Sequence, residues 1–307
     1  MIQVEQLMLS RDGLTLHGAL YGEASAPLVV LIHGFPDTPH SWDHVYPLLV
    51  KAGYQVFVPW LRGYTQDSVN RQAHYGLASA LADLAAWLEL LKAKGHLKNK
   101  AHLVGHDWGA AIAMSFASRQ PEALHSISLL AVPPIPNFKD VFKALPNFPR
   151  QLYMSSYMLL MQSRFAEQML SRNNVSFVEK IWRKWSPTWK FTESDFSPTR
   201  AAFQNPDIAW AATRYYHNLF AILNSDNLKA NRHLLSPVTT PTLALAGLDD
   251  GCMNIRLHQA LAQTHYFPQG IESVYVPDCG HFLQAEQPQH VAELLLEHFQ
   301  KIINKEI

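Results

Sequence analysis

The chain's apolar residues fall into runs of two kinds. Residues 3–9 and 14–21 read as two short antiparallel strands, because Arg11-Asp12-Gly13 between them is a good turn sequence. The next run, Pro27-Leu28-Val29-Val30-Leu31-Ile32, shows no alternation of apolar and polar positions. A strand that is apolar on both faces belongs inside a parallel sheet covered by helices. The same pattern returns at 54–58, 101–104, 127–132, 242–246 and 273–276. Helical stretches separate the first of these, notably 76–94 and 110–119, and an amphipathic helix over about 288–303 closes the chain. Strands alternating with helices predict an α/β fold with right-handed crossovers.

That rhythm breaks at Val132. Residues 133–149 carry Pro133, Pro134, Pro136, Pro146 and Pro149, and about a hundred residues pass before the next buried-strand run at Thr242. The interval reads as helical and is rich in Met and Trp: Met154, Met158, Met161, Met169, Trp182, Trp185, Trp189 and Trp210. Such a stripe predicts a helical subdomain that packs its own core. Its underside can also roof the sheet and bound an apolar pocket. The expected division is therefore a core over 1–133 and 236–307, with a helical cap inserted at 134–235.

Composition narrows the picture further. Of 307 residues, 48% are apolar and only 16% charged, against about 25% charged in ordinary soluble domains. A large core follows. The 25 basic and 25 acidic side chains cancel, with no basic block, which argues against nucleic acid or an anionic membrane as the main partner. Two cysteines, Cys252 and Cys279, imply no disulfide framework and fit a reducing compartment. No apolar run approaches the roughly 20 residues of a membrane span, and Met-Ile-Gln-Val-Glu-Gln does not read as a signal peptide. A cytoplasmic protein is expected. Sixteen histidines raise the question of a metal, but there is no His-Glu-x-x-His and no Cys or His pair at ligand spacing. No Gly-rich phosphate loop follows the first buried strand either. No cofactor is expected.

The strongest chemical signal is Gly105-His106-Asp107-Trp108-Gly109, between the strand at 101–104 and a helix of small residues. This is the strand–turn–helix setting of a nucleophile elbow, with Asp107 where Gly-x-Ser-x-Gly enzymes keep serine. The plainer alternative is a Gly-rich turn with a helix-capping Asp. His33-Gly34-Phe35-Pro36-Asp37 ends the first buried strand, where a sharp turn can aim the Phe35 N–H at the same site as the Trp108 N–H, giving two donors for an oxyanion. Gly247-Leu248-Asp249-Asp250 and Asp278-Cys279-Gly280-His281-Phe282 follow the last two strands. Nucleophile, acid and His, in that order and each at the C-terminal edge of a parallel strand, are the arrangement of an α/β-hydrolase triad.

An Asp in the elbow restricts the reaction. A carboxylate attacking an ester is itself a better leaving group than the alkoxide it would expel. Toward an sp³ carbon bearing a strained or good leaving group it displaces in line and becomes an alkyl ester. Epoxides and alkyl halides both fit.

The chain resembles the α/β-hydrolases and, within them, the epoxide hydrolases, which pair His-Gly-Phe-Pro with Gly-His-Asp-Trp-Gly. The likeness spans 1–132 and 236–307. Leu61-Arg62-Gly63-Tyr64 matches a further loop, while Trp60 stands where the family more often has Asp. The resemblance implies Asp107 as nucleophile, His281 as the base that deprotonates water, and Asp250, by the family's Gly-x-x-Asp spacing, as its partner. It also implies two lid tyrosines that protonate the opening epoxide. The segment Ser155-Ser156-Tyr157-Met158-Leu159-Leu160-Met161-Gln162, with Gln five places after Tyr, selects Tyr157 over Tyr153. Tyr215-Tyr216-His217-Asn218, by its Tyr-x-Asn spacing, selects Tyr216 over Tyr215. The implied partners are a small apolar epoxide and water.

Dehalogenases use the same Asp ester and need N–H donors for the halide, which Trp108 and one of Trp182, Trp185, Trp189 or Trp210 could supply. Haloalkane dehalogenases tend to carry Asn at the position of Phe35. Fluoroacetate dehalogenases resemble Gly-His-Asp-Arg-Gly at the elbow, with a His-Trp pair where this chain has Ser156 and Tyr157. Both departures favour the epoxide. Residues 133–138 hold no acid, which closes the route by which some dehalogenases supply the third triad member. A ligand-binding homologue without turnover is the alternative from another class, and the complete triad argues against it.

Overall fold

The computed structural model describes residues 2–134, 148–219, 225–234, 236–262 and 267–306. Eight strands form one sheet: β1 (Val4–Arg11), β2 (Leu14–Tyr21), β3 (Leu28–Ile32), β4 (Gln55–Pro59), β5 (Ala101–His106), β6 (Leu124–Leu130), β7 (Thr242–Gly247) and β8 (Ile271–Val276). Their spatial order is β1-β2-β4-β3-β5-β6-β7-β8. The hairpin β1–β2 and the β2–β4 pair are antiparallel, and every pairing from β4 to β8 is parallel.

The non-alternating runs have a direct cause. Val30 and Ile32 of β3 face one apolar cluster, while Val29 and Leu31 face the other, so successive residues are buried on opposite sides of the sheet. The first cluster is completed by α2 (Leu77–Ala93) and α3 (Trp108–Arg119). Leu77, Leu81, Leu84, Leu88 and Leu91 give α2 its buried stripe at helical spacing. The second cluster lies under the short α1 (Tyr46–Lys51) and, at the chain's end, a 19-residue helix over Pro288–Glu306, through Val291, Leu295 and Phe299. Each such side chain, fully buried, contributes on the order of 1.5–3 kcal/mol. Ile271–Val276 differs from the expectation of a strand buried on both faces. β8 is the sheet's edge, and all its residues except Val276 are half-buried.

Between β6 and β7 the described chain is helical: α4 (Phe148–Met154), α5 (Tyr157–Met161), α6 (Ala166–Ser171), α7 (Ser176–Trp185), α8 (Glu193–Phe203), α9 (Pro206–Leu219) and α10 (Ser225–Leu234). In α7, Val178, Ile181, Trp182 and Trp185 are buried at i, i+3, i+4 and i+7, which explains the Trp spacing seen in the sequence. Pro136, Pro146 and the expected boundary at 235 lie outside the described residues. After β7 come α11 (Ile255–Leu261), α12 (Leu283–Glu286) and α13, the helix over Pro288–Glu306. No helix among the described residues is long and apolar enough to cross a membrane.

The loop after β4 ties the sheet to this helical insertion. Arg62 is buried and forms a two-pronged ion pair with Asp83 on α2, while also donating to His74 O and Asp12. Its carbonyl accepts the Tyr215 hydroxyl from α9 at 3.0 Å. Removing one member of a buried pair strands the other charge, at a cost of about 3–5 kcal/mol. Arg62→Met should therefore lower unfolding stability by that amount in a denaturant titration, and the double change Arg62→Met/Asp83→Leu should recover at least half of it. If the double variant is no more stable than the single one, the Asp83 charge is not what Arg62 neutralises.

Candidate active site

The turn between β5 and α3 is built by close backbone approach. A side chain on Gly105 would strike the Gly109 carbonyl, and one on Gly109 would strike the Ile32 carbonyl of β3. Asp107, between them, is held at φ 52° and ψ −115°, a conformation that costs a non-glycine residue on the order of 1–3 kcal/mol. Gly34 lets the end of β3 press against this turn, since any Cβ there would meet Asp107 itself. The result is that the Phe35 N–H donates to Asp107 Oδ1 at 2.8 Å. Trp108 follows as the first residue of α3, its ring 5.4 Å from that of Tyr216.

His281 arrives from the loop after β8 and is fully buried. Its Nδ1 lies 2.8 Å from Asp250 Oδ2, and its Nε2 lies 3.6 Å from Asp107 Oδ2, beyond hydrogen-bond length. Asp250 Oδ1 is occupied by the backbone N–H groups of Cys252 at 2.6 Å and Met253 at 2.8 Å, so the acid is held on both oxygens. Asp249, its neighbour, is exposed and its N–H donates to Cys279 O. Burial works against charge on His281, but the carboxylates of Asp250 and Asp107 outweigh it and raise its pKa to about 10. The imidazole is therefore protonated at neutral pH.

Two tyrosines close the opposite side. Tyr216 on α9 is 1% exposed, and its hydroxyl has no hydrogen-bond partner. Its ring stands 5.1 Å from Phe35 and 5.7 Å from Tyr157. Tyr157 lies partly buried at the start of α5, with its ring parallel to Phe35. Burial raises the pKa of both phenols well above the ordinary value, so both hydroxyls hold their protons. Tyr153 is 69% exposed, and Tyr215 is committed to Arg62. Gln162, the marker of the first segment, donates to Tyr216 O at 2.8 Å and so links the two tyrosine segments directly.

All seven residues singled out in the sequence thus meet in one place. Other groups border them. Trp185 on α7 accepts the backbone N–H of His281 at 3.0 Å through its carbonyl and lays its ring 4.9 Å from the imidazole and 4.8 Å from Tyr157. Nothing local distinguishes it from the other tryptophans of the stripe. Beside His281, His106 Nε2 lies 3.0 Å from His281 O, and its Nδ1 faces the buried Asp37 at 3.7 Å. Burial dominates both groups, holding His106 near 3 and raising Asp37 to about 7. His33 accepts from the Leu61 N–H on Nε2 and is likewise held neutral by burial, with a pKa of about 3.

The chemistry available is therefore a carboxylate fixed by one oxygen, a charged imidazole beside its other oxygen, and two protonated phenols. Among the described residues no group of three or more His, Cys, Asp or Glu side chains could hold a metal ion. A cavity of about 500 Å³ lies apart from this cluster, lined by residues such as Arg11, His74, Arg119 and His233, and none of the site residues borders it.

The alpha/beta hydrolase fold profile matches residues 27–288. Epoxide hydrolase 4 of Mus musculus is 30% identical over 293 residues, covering 92% of this chain and 76% of the relative. The AB hydrolase superfamily protein YfhM of Bacillus subtilis is 28% identical, covering 94% and 96%. Among solved structures, an epoxide hydrolase from an endophytic Streptomyces superposes with a TM-score of 0.78 at 23% identity, over 98% of this chain and 96% of that one. Epoxide Hydrolase A from Mycobacterium thermoresistibile gives 0.76 at 24% identity, over 97% and 98%.

Asp37 offers a test of the electrostatics. An unfolded Asp titrates near 3.9, whereas folding raises Asp37 to about 7, so the folded state binds the proton more tightly. Its contribution is favourable at low pH and is lost as pH rises from about 4 to about 7. The thermal midpoint of the wild type minus that of Asp37→Asn should fall across this window and level off above it. A difference independent of pH would mean that Asp37 is ionised throughout.

Proposed function

The chain belongs to the α/β-hydrolases and, within them, to the epoxide hydrolase family, and on that footing we propose that it opens an epoxide to a vicinal diol through an ester on Asp107. The observation that carries this reading is the pairing, across one buried site, of a carboxylate held by one oxygen with two protonated tyrosine hydroxyls.

In the first step Asp107 Oδ2 attacks a ring carbon, the ring C–O bond breaks, and the departing oxygen takes a proton from Tyr157 or Tyr216. An alkoxide is a poor leaving group, so this proton transfer lowers the barrier. In the second step the ester carbonyl oxygen is the one already held by the Phe35 N–H, with Trp108 N–H as the second donor for the oxyanion. Esterification removes the charge of Asp107. His281 then keeps only Asp250 as a carboxylate neighbour, and its pKa drops. Its resting proton passes through solvent to restore the tyrosine that protonated the ring oxygen, and the neutral imidazole can take a proton from the attacking water. The same imidazolium returns a proton as the tetrahedral intermediate releases the diol. The raised resting pKa of His281 thus makes the base available only after the ester has formed.

The cap expected over 134–235 supplies both tyrosines and Trp185 in this scheme. A halide-releasing reading has Trp108 and Trp185 beside the site as candidate donors, but the two protonated phenols there suit an alkoxide rather than a halide, and the other tryptophans are engaged elsewhere. Trp182 Nε1 already donates to Pro36 O, Trp189 stacks on Trp182, and Trp210 packs against Tyr75 and two arginines.

Asp107→Asn should leave folding intact and lower turnover of an aryl epoxide by about 10⁴- to 10⁶-fold. Full, sustained diol formation by the folded variant would remove Asp107 from the nucleophile's role. Tyr157→Phe and Tyr216→Phe should each slow ester formation by about ten- to a hundredfold, with the double change approaching the roughly 10²–10⁴-fold worth of general acid catalysis. Single variants with wild-type rates of ester formation would count against the tyrosines.

A further inference from the structure

Cys252 sits two residues after the triad acid and is 1% exposed. Its Sγ lies 3.9 Å from Tyr157 Oη, in the geometry of a thiol donating to the phenol oxygen. The loop that carries it is fastened to the helical insertion. Gln151 on α4 donates to Cys252 O at 3.1 Å, and its side-chain oxygen accepts the Asn254 N–H at 2.8 Å. Beside this contact stands the buried, unpartnered hydroxyl of Tyr216, 5.7 Å away ring to ring. The thiol therefore lies between the acid's loop and the pair of tyrosines.

A phenol has one proton and accepts through its oxygen. If the thiol occupies the accepting side of Tyr157 Oη, the phenol's own proton is directed elsewhere, into the space that Tyr216 also borders. We propose that Cys252 is a positioning residue for ring opening: its S–H donates to Tyr157 Oη and so orients the Tyr157 proton toward the epoxide oxygen. A thiol suits the task because it is a weak donor in a buried, mostly apolar setting, where it costs little when the hydroxyl turns. As Tyr157 gives up its proton to the opening ring, negative charge grows on Oη and the S–H contact strengthens. The stabilisation is greatest in the transition state and raises the rate of ester formation rather than substrate affinity. This inference rests on the epoxide reading and adds a residue to it.

The test uses a pair of variants that differ by one donor. Cys252→Val and Cys252→Thr have nearly the same shape, but only Thr keeps an X–H group at the position. Single-turnover experiments with styrene oxide separate ester formation from ester hydrolysis. Cys252→Val should slow ester formation by about five- to tenfold, the worth of one hydrogen bond. Hydrolysis of the ester and KM for the epoxide should stay near wild type, and Cys252→Thr should restore ester formation to within about threefold of it. A packing role predicts the opposite order, with Val equal to or better than Thr, because a buried hydroxyl is the less favourable occupant. That order would overturn the proposal. So would slowed hydrolysis with unchanged ester formation, which would mean that Cys252 acts through Asp250. If Cys252→Val does not fold, Cys252→Ala removes the same donor and is read in the same way. Failure to detect any Asp107 ester in the wild-type protein would instead overturn the epoxide reading, and this inference with it.

Discussion

A fully buried imidazole set between two carboxylates is the constraint on which the rest of the site depends. His281 has Asp250 at 2.8 Å on one nitrogen and Asp107 at 3.6 Å from the other. Taking three ionisable groups out of water is costly unless each remaining lone pair finds a donor. The chain meets this with backbone groups from separate loops. Cys252 and Met253 N–H serve Asp250 and Phe35 N–H serves Asp107, while the Trp185 carbonyl fixes the loop of His281 through its backbone N–H. Loops after β3, β5, β7 and β8 must therefore converge within hydrogen-bond reach, and the parallel sheet brings them there because all four leave its strands at the same edge.

Convergence of that kind leaves no room for side chains at the crossing points, which is why glycine occupies 105 and 109. It also leaves the cluster open on the side away from the sheet. The insertion between β6 and β7 covers that side with aromatic surface. Trp182 bonds to the loop after β3, Trp185 to the loop after β8, and Gln162 joins the α5 and α9 segments. Protonated phenols and a charged imidazole can share one interior because burial, which favours the neutral form of both, is outweighed only at the imidazole. Burial keeps the phenols neutral, while two adjacent carboxylates keep the imidazole charged against it.

Much of this was legible along the chain. Strands buried on both faces announce themselves as unbroken apolar runs, and β3 to β7 lie within a few residues of those runs with the burial expected, while β1 and β2 flank the opening turn. β8 is the exception, since an edge strand and a central one differ in what lies beside them rather than in local pattern. The elbow was readable because its glycines are required by contacts with fixed neighbours. Asp250 and Asp249 could not be separated by local chemistry, since what distinguishes them is which one faces the imidazole and which one faces water. Tyr215 and Tyr216 are adjacent on a helix and point about 100° apart, so one meets Arg62 while the other meets the site.

What the sequence determined by itself was therefore the order of elements, the fold class and the candidate groups that the structure brings together, because these follow from periodicity and residue chemistry. The tertiary structure alone decided which hydroxyl is free, that the His281 pKa is raised rather than lowered, and that Trp185, Asp37 and Cys252 border the site. Each of those depends on distances between segments far apart in the chain, and electrostatic energy and hydrogen bonding are functions of such distances rather than of position along it.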